Sequence, residues 1–146
     1  MARFFKKRDQ IKGKPPGSLI FIGNQKVDKV RIRVTDYDGT QLKEDELQNI
    51  AQGSAFKQTN TVTWINIDGL HDLALMKEVG STFDLHPLLM EDILNTGQRP
   101  KLEEFDNCLF LVLKMLRYDK EKEKIVSEQL SLVLGNTFLL TFQEQP

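Results

Sequence analysis

The sequence predicts an α/β fold of the mixed, α+β-like kind: one β-sheet, partly parallel and partly antiparallel, covered by helices in an αβα sandwich. Strand-like patterns occur early and late in the chain, helical patterns lie between them, and around residue 70 a strand-like run passes directly into a helical stripe. Length and composition agree. With 146 residues, 40% of them hydrophobic and 28% charged, the chain can bury one substantial core and lacks the bias of a disordered polymer.

Residues 1–18 read as a flexible basic arm. Lys6, Lys7, Arg8, Lys12 and Lys14 crowd together ahead of Pro15-Pro16-Gly17, which forbids regular structure. Residues 19–146 read as a single domain. Order begins at the apolar run Leu19-Ile20-Phe21-Ile22, stopped by Gly23-Asn24. Val30, Ile32 and Val34 alternate with Arg31, Arg33 and Thr35, the period of a strand with one buried face, and Asp36-Tyr37-Asp38-Gly39 supplies a turn. Leu42, Leu47 and Ile50 among Glu44, Asp45 and Glu46 suggest a short helix. Val62 to Ile67 is β-rich and ends at Asp68-Gly69, so a strand leaves the core there. Leu73, Met76, Val79 and Phe83 then recur at helical spacing, with Gly80 weakening the end of the stripe.

His86-Pro87 opens a second helix, because proline's missing N–H would have no partner in the first turn. Leu89 and Ile93 lie one turn apart on its buried side, with Met90 and Leu94 beside them, while Glu91 and Asp92 project elsewhere. Asn95 to Glu104 is polar and holds Gly97 and Pro100, so it reads as a loop. Leu109 to Leu113 is apolar on both alternations, the pattern of a central strand covered on both faces. A charged turn follows from Arg117 to Lys124. Gln129 to Leu134 and Phe138 to Phe142 read as strands joined by a tight hairpin at Gly135-Asn136.

Charge and composition exclude several functions. A formal net charge of −1 offers no field for nucleic acid or an anionic membrane. The single cysteine, Cys108, cannot form an internal disulfide, which suits a reducing compartment. The longest apolar run, Cys108 to Leu113, is far shorter than the roughly 20 residues of a membrane-spanning helix. The basic start has no apolar signal region behind it, so the residues alone describe a cytoplasmic protein without direct membrane contact. There is no Gly-rich phosphate loop, nucleophile elbow or metalloprotease His pair. An acid–base hydrolase built on His86, Glu91 and Asp92 would rest on residue types alone, and no enzyme is expected.

The stretch Val62-Thr63-Trp64-Ile65-Asn66-Ile67-Asp68-Gly69-Leu70-His71 resembles the strand-and-turn signature of the CorA-type magnesium/cobalt transporter family. The resemblance continues through Phe83 to Leu94, which includes the Glu91-Asp92-Ile93-Leu94 motif, then Gln98-Arg99-Pro100-Lys101, Leu109 to Met115, Ser127 to Leu132 and Thr141 to Glu144. It covers most of residues 62–144 in the family's order, and the first 60 residues only loosely, apart from Pro15-Pro16-Gly17. It implies the N-terminal cytoplasmic domain of a divalent-cation (Mg2+, Co2+ or Ni2+) transport protein on the cytoplasmic side of a cell membrane. The family forms homopentamers with a stalk helix, two membrane helices per subunit and a Gly-Met-Asn motif at the pore. None of these follows in this sequence, so transport by the chain alone is not expected. A zinc-transporting relative and a stand-alone binding or adaptor domain are the alternatives.

The resemblance also implies a metal site. Glu91 and Asp92 correspond to the family's acidic pair, which binds regulatory Mg2+ between neighbouring subunits and gates the channel. Magnesium prefers carboxylate and water oxygens and keeps several waters. Adjacent helical residues point about 100° apart, so each carboxylate should give one ligand to a half-site, weak in the isolated domain and completed by a neighbouring stalk. Without the resemblance, the pair reads as the solvated face of an amphipathic helix. His71, His86 and Cys108 are zinc ligands by type, but their spacing matches no common zinc pattern. Structural roles are expected for them, His86 assisting its helix start. Arg99, Lys101, Glu103 and Glu104 read as a charged surface, open to solvent or to another subunit. Trp64 reads as a core or half-buried strand residue.

Overall fold

The computed structural model describes residues 13–146. Lys6, Lys7, Arg8 and Lys12 of the expected arm lie outside the described residues. The order of elements is β1 (Arg31–Tyr37), β2 (Leu42–Leu47), a 3-10 helix (Ile50–Gln58), β3 (Val62–Asp68), α1 (Leu73–Thr82), α2 (Pro87–Leu94), β4 (Lys101–Phe105), β5 (Cys108–Asp119), β6 (Lys124–Leu134) and β7 (Phe138–Gln143). The strands form one seven-stranded sheet in the order β2-β1-β3-β7-β6-β5-β4. Among these seven strands only β3 and β7 run parallel, in register from Thr63 opposite Phe138 to Asp68 opposite Gln143. The mixed sheet and its helices are as the sequence predicts.

One face of the sheet carries the core. Strand alternation aims Ile32 and Val34 of β1, Ile65 and Ile67 of β3, Leu140 and Phe142 of β7, Val133 of β6, and Phe110 and Val112 of β5 to the same side, where all are buried. The helices close this side: Met76 and Val79 of α1, Leu89 and Ile93 of α2, and Ile50 of the 3-10 helix are fully buried in the same cluster. Burying a side chain such as Phe110 contributes on the order of 2 kcal/mol. Local signals set the helix limits. Asp72 caps α1 by accepting from the Leu75 N–H at 3.0 Å, and Asn49 with Gln52 forms a capping box on the 3-10 helix.

The opposite face carries no helix among the described residues, which therefore supply one of the sandwich's two expected helical layers. Leu109, Leu113 and Leu134 are exposed there, with Leu111, Leu130, Leu132 and Leu139 half-buried beside them. The expectation that Leu109 to Leu113 is covered on both sides is therefore corrected: Phe110 and Val112 are buried, Leu109 and Leu113 are not. Trp64 lies on this open face, 44% exposed, its indole N–H donating to the Thr141 hydroxyl at 2.8 Å.

Three further expectations change. Leu42–Leu47 is an edge strand, not a helix, paired residue for residue with β1 and pinned by the Arg31–Glu46 ion pair at 2.7 Å. Five of its six residues are exposed. Charged side chains are a common dress for a sheet edge, because they discourage pairing with another chain. The segment expected as a loop from Asn95 to Glu104 already contains β4, the other edge strand. The charged turn shrinks, because β5 and β6 stay paired out to Asp119 and Lys124.

Candidate functional site

The site is built on α2 and the edge strand β4. His86 caps the helix, its Nδ1 accepting from the Leu88 N–H at 3.2 Å, and Pro87 stands in the first turn. With Leu89, Met90, Ile93 and Leu94 buried, the helix is locked in rotation, and Glu91 and Asp92 are left only partly exposed. They line one cleft with Leu88, Glu103, Glu104 and Phe105. On β4, Glu103 shares the face of Lys101, towards α2, whereas Glu104 shares the opposite face with Leu102.

Asp92 is held from within the domain. Its Oδ2 faces the Lys101 ammonium at 2.6 Å, and Lys101 also reaches Glu103 at 2.9 Å. The Gln98 side-chain amide donates to the other Asp92 oxygen. Partial burial pushes the Lys101 pKa down, but its hydrogen bonds to Asp92 and Glu103 and their charges outweigh burial and raise it. Beneath, the buried Gln129 Oε1 accepts from the Gln98 N–H and from Lys114 Nζ, both at 3.2 Å, and Lys114 donates to the Thr96 carbonyl at 2.9 Å. This network fixes the segment between α2 and β4. Glu91 is held differently: its Oε2 accepts the backbone N–H of Gly17 at 2.6 Å.

Sequence reasoning singled out Glu91 and Asp92, which the structure places part-exposed on one helix, and did not anticipate the network around Asp92. Lys101 counted as surface charge, and Gln98, Lys114 and Gln129 carried no role of their own. Their signal was membership of the family-like stretches: Gln98 and Lys101 in Gln98-Arg99-Pro100-Lys101, Lys114 in Leu109 to Met115, and Gln129 in Ser127 to Leu132. The remaining candidates stay apart from the cleft's chemistry. His86 serves its helix, Arg99 is exposed, and Cys108 is buried, which pushes its thiol pKa up. Among the described residues no group of three or more His, Cys, Asp or Glu side chains is placed to hold a metal ion. A second cleft, on the open sheet face, holds Arg31, Arg33, Glu46, Trp64 and Gln143. Its arginines are already paired, Arg31 with Glu46 and Arg33 with the buried Asp68 at 3.0 Å.

No helix among the described residues is long and apolar enough to cross a membrane. Residues 59–146 match the family described as CorA-like Mg2+ transporter protein. The chain is 42% identical over 134 residues to the cobalt/magnesium transport protein CorA of Thermotoga maritima, covering 92% of this chain and 38% of that protein. In fold it resembles the soluble domain of CorA from Methanocaldococcus jannaschii, with TM-score 0.55, 16% identity, and coverage of 75% of this chain and 39% of that one. It also resembles the cytoplasmic domain of ZntB from Vibrio parahaemolyticus, with TM-score 0.53, 13% identity, and coverage of 80% and 44%. The chain spans well under half the length of these relatives. With residues 59–146 matching the family and 92% of its length aligned at 42% identity to the Thermotoga protein, the chain belongs to the CorA-like Mg2+ transporter family, a family of transporters rather than of enzymes.

Proposed function

We propose that this chain is the cytoplasmic regulatory domain of a divalent-cation transport protein, Mg2+ or Co2+ being the cargo of the whole protein. In this reading Glu91 and Asp92 give half of a regulatory Mg2+ site between neighbouring subunits of a homopentamer. The observation that supports the site is the part-exposed pair Glu91 and Asp92 on the wall of one cleft, with Lys101 already acting there as a counter-cation to Asp92.

The donor set fits a hard cation in kind: oxygen ligands, partly exposed, with room for retained water. It does not complete a cage. Bound Mg2+ would supply positive charge between opposed carboxylates, and this chain's part is to present Glu91 and Asp92 on a rotationally fixed helix. Without a cation, carboxylates facing each other across subunits repel, and the closed assembly loses stability. Driving such an equilibrium from 1:99 to 99:1 requires roughly 5.5 kcal/mol of differential binding, which symmetry-related sites would share. At Asp92 an incoming ion also has to displace Lys101, which supports weak binding by the isolated chain.

The test is thermal unfolding or proteolysis of the full-length oligomer with and without Mg2+. Magnesium should protect the wild type, and Asp92→Lys should abolish that protection. Undiminished protection in the variant rules the site out.

A further inference from the structure

Gly17 sits in a turn that its own sequence dictates. The Pro15 carbonyl accepts from the Ser18 N–H at 3.3 Å and from the Ser18 hydroxyl at 2.6 Å. Pro16 occupies the second position and Gly17, at φ +79°, the third, the arrangement of a type II turn, which needs a left-handed residue there. The Gly17 N–H therefore points away from the turn, and it meets the Glu91 carboxylate at 2.6 Å. Packing there is close: a Cβ on Gly17 would come within 2.9 Å of the Pro87 Cβ. Further on, the chain is fastened again at the other end of α2, where the Ile22 N–H donates to the Leu94 carbonyl at 2.8 Å and the Ile22 carbonyl accepts from the Thr96 N–H at 3.1 Å. The segment thus lies along α2 with a firm end at Ile22, Leu19 and Phe21 packed against the core, and, among the described residues, a charge-assisted catch on Glu91 at Gly17.

We propose that the Pro15–Ser18 turn is a latch whose catch is Glu91, and that latch and cation compete for this carboxylate. The proposal rests on the cation reading of Glu91. The Gly17 amide presents the positive end of its N–H dipole to Oε2. A dication on the same carboxylate would face that positive end and strip the hydrogen bond of its charge assistance. Cation binding therefore releases the turn, while the Ile22 anchor keeps the chain on the helix. By reciprocity the docked turn lowers cation affinity by the same factor. A latch closed nine-tenths of the time reduces apparent affinity roughly tenfold.

Two measurements on the same chain test this. Amide exchange at Gly17, read by NMR, should be slow without Mg2+, fast in Glu91→Ala, and accelerated progressively as Mg2+ is titrated in. Gly17→Ala, which can neither hold the left-handed turn nor fit against Pro87, should raise apparent Mg2+ affinity several-fold, up to roughly tenfold, as read from the Asp92 signals. If Mg2+ shifts the Glu91 and Asp92 signals while Gly17 exchange stays slow and Gly17→Ala binds no better, the latch is overturned and the cation reading stands. If Mg2+ leaves those signals unmoved, the premise fails and the competition fails with it. Fast Gly17 exchange in the wild type without Mg2+ overturns the latch directly.

Discussion

Asp92 and Lys101 show how a residue's surroundings alter what its type suggests. The carboxylate belongs to a motif that reads as a cation ligand, yet its own domain already supplies an ammonium to one oxygen and an amide to the other. Both side chains of the ion pair are about three-quarters buried, at 26% and 21% exposure, so solvent screens them less than a surface pair. Replacing Lys101 with Met should cost about 1–2 kcal/mol in urea unfolding, because Asp92 is left without its partner. The pH dependence follows from direction. The folded pKa of Lys101 lies above its ordinary 10.5, so its contribution is fully present below that value and is lost as pH rises through the folded one. The stability gap between wild type and Lys101→Met should stay level from about pH 6 to about pH 9 and shrink only above about pH 10.5. A gap that closes near neutrality would mean the pair does not act as described.

At the scale of elements, helices were easier to read than edge strands. The stripes of α1 and α2 show in the sequence because a helix packed on one side repeats its apolar residues every three or four positions. Edge strands have no such need. β2 is exposed along almost its whole length and β4 alternates weakly, so both are defined by backbone pairing, which leaves no mark on side-chain type. β5 failed for the opposite reason: its apolar residues face both ways, and only the sheet's surroundings show which side is covered. The difference is measurable between adjacent residues. Phe110→Ala should cost roughly 3–5 kcal/mol, whereas Leu109→Ala, 41% exposed, should cost under about 1 kcal/mol. Comparable losses in urea unfolding would mean that the second face is covered after all.

For the whole molecule, the sheet face left uncovered among the described residues carries exposed apolar side chains. Leu102, Leu109, Leu113 and Leu134 lie on that side of adjacent strands, all at least 39% exposed. Contiguous apolar surface of this kind favours association. Placing lysine at both Leu109 and Leu113 should raise the isolated chain's solubility limit several-fold and shift its sedimentation toward monomer, while leaving the far-ultraviolet circular dichroism unchanged. Loss of the folded spectrum would show that these leucines belong to the core. The same scale governs the site, where Glu91 and Asp92 come from one helix but Lys101, Lys114 and Gln129 arrive through β4, β5 and β6.

The sequence by itself determined the fold class, the helical stripes, β1, β3 and the β6–β7 hairpin, the acidic pair and the family resemblance, because each is written in local periodicity, turn chemistry or contiguous motif. Only the tertiary structure decided that β2 and β4 are edge strands, that one sheet face is open, that Asp92 is tied to Lys101 and Gln98, and that Gly17 catches Glu91 across 74 residues of chain. The physical reason is common to all four. A long-range backbone pairing or hydrogen bond places no repeating demand on the sequence that forms it, so it becomes visible only when the chain has folded back upon itself.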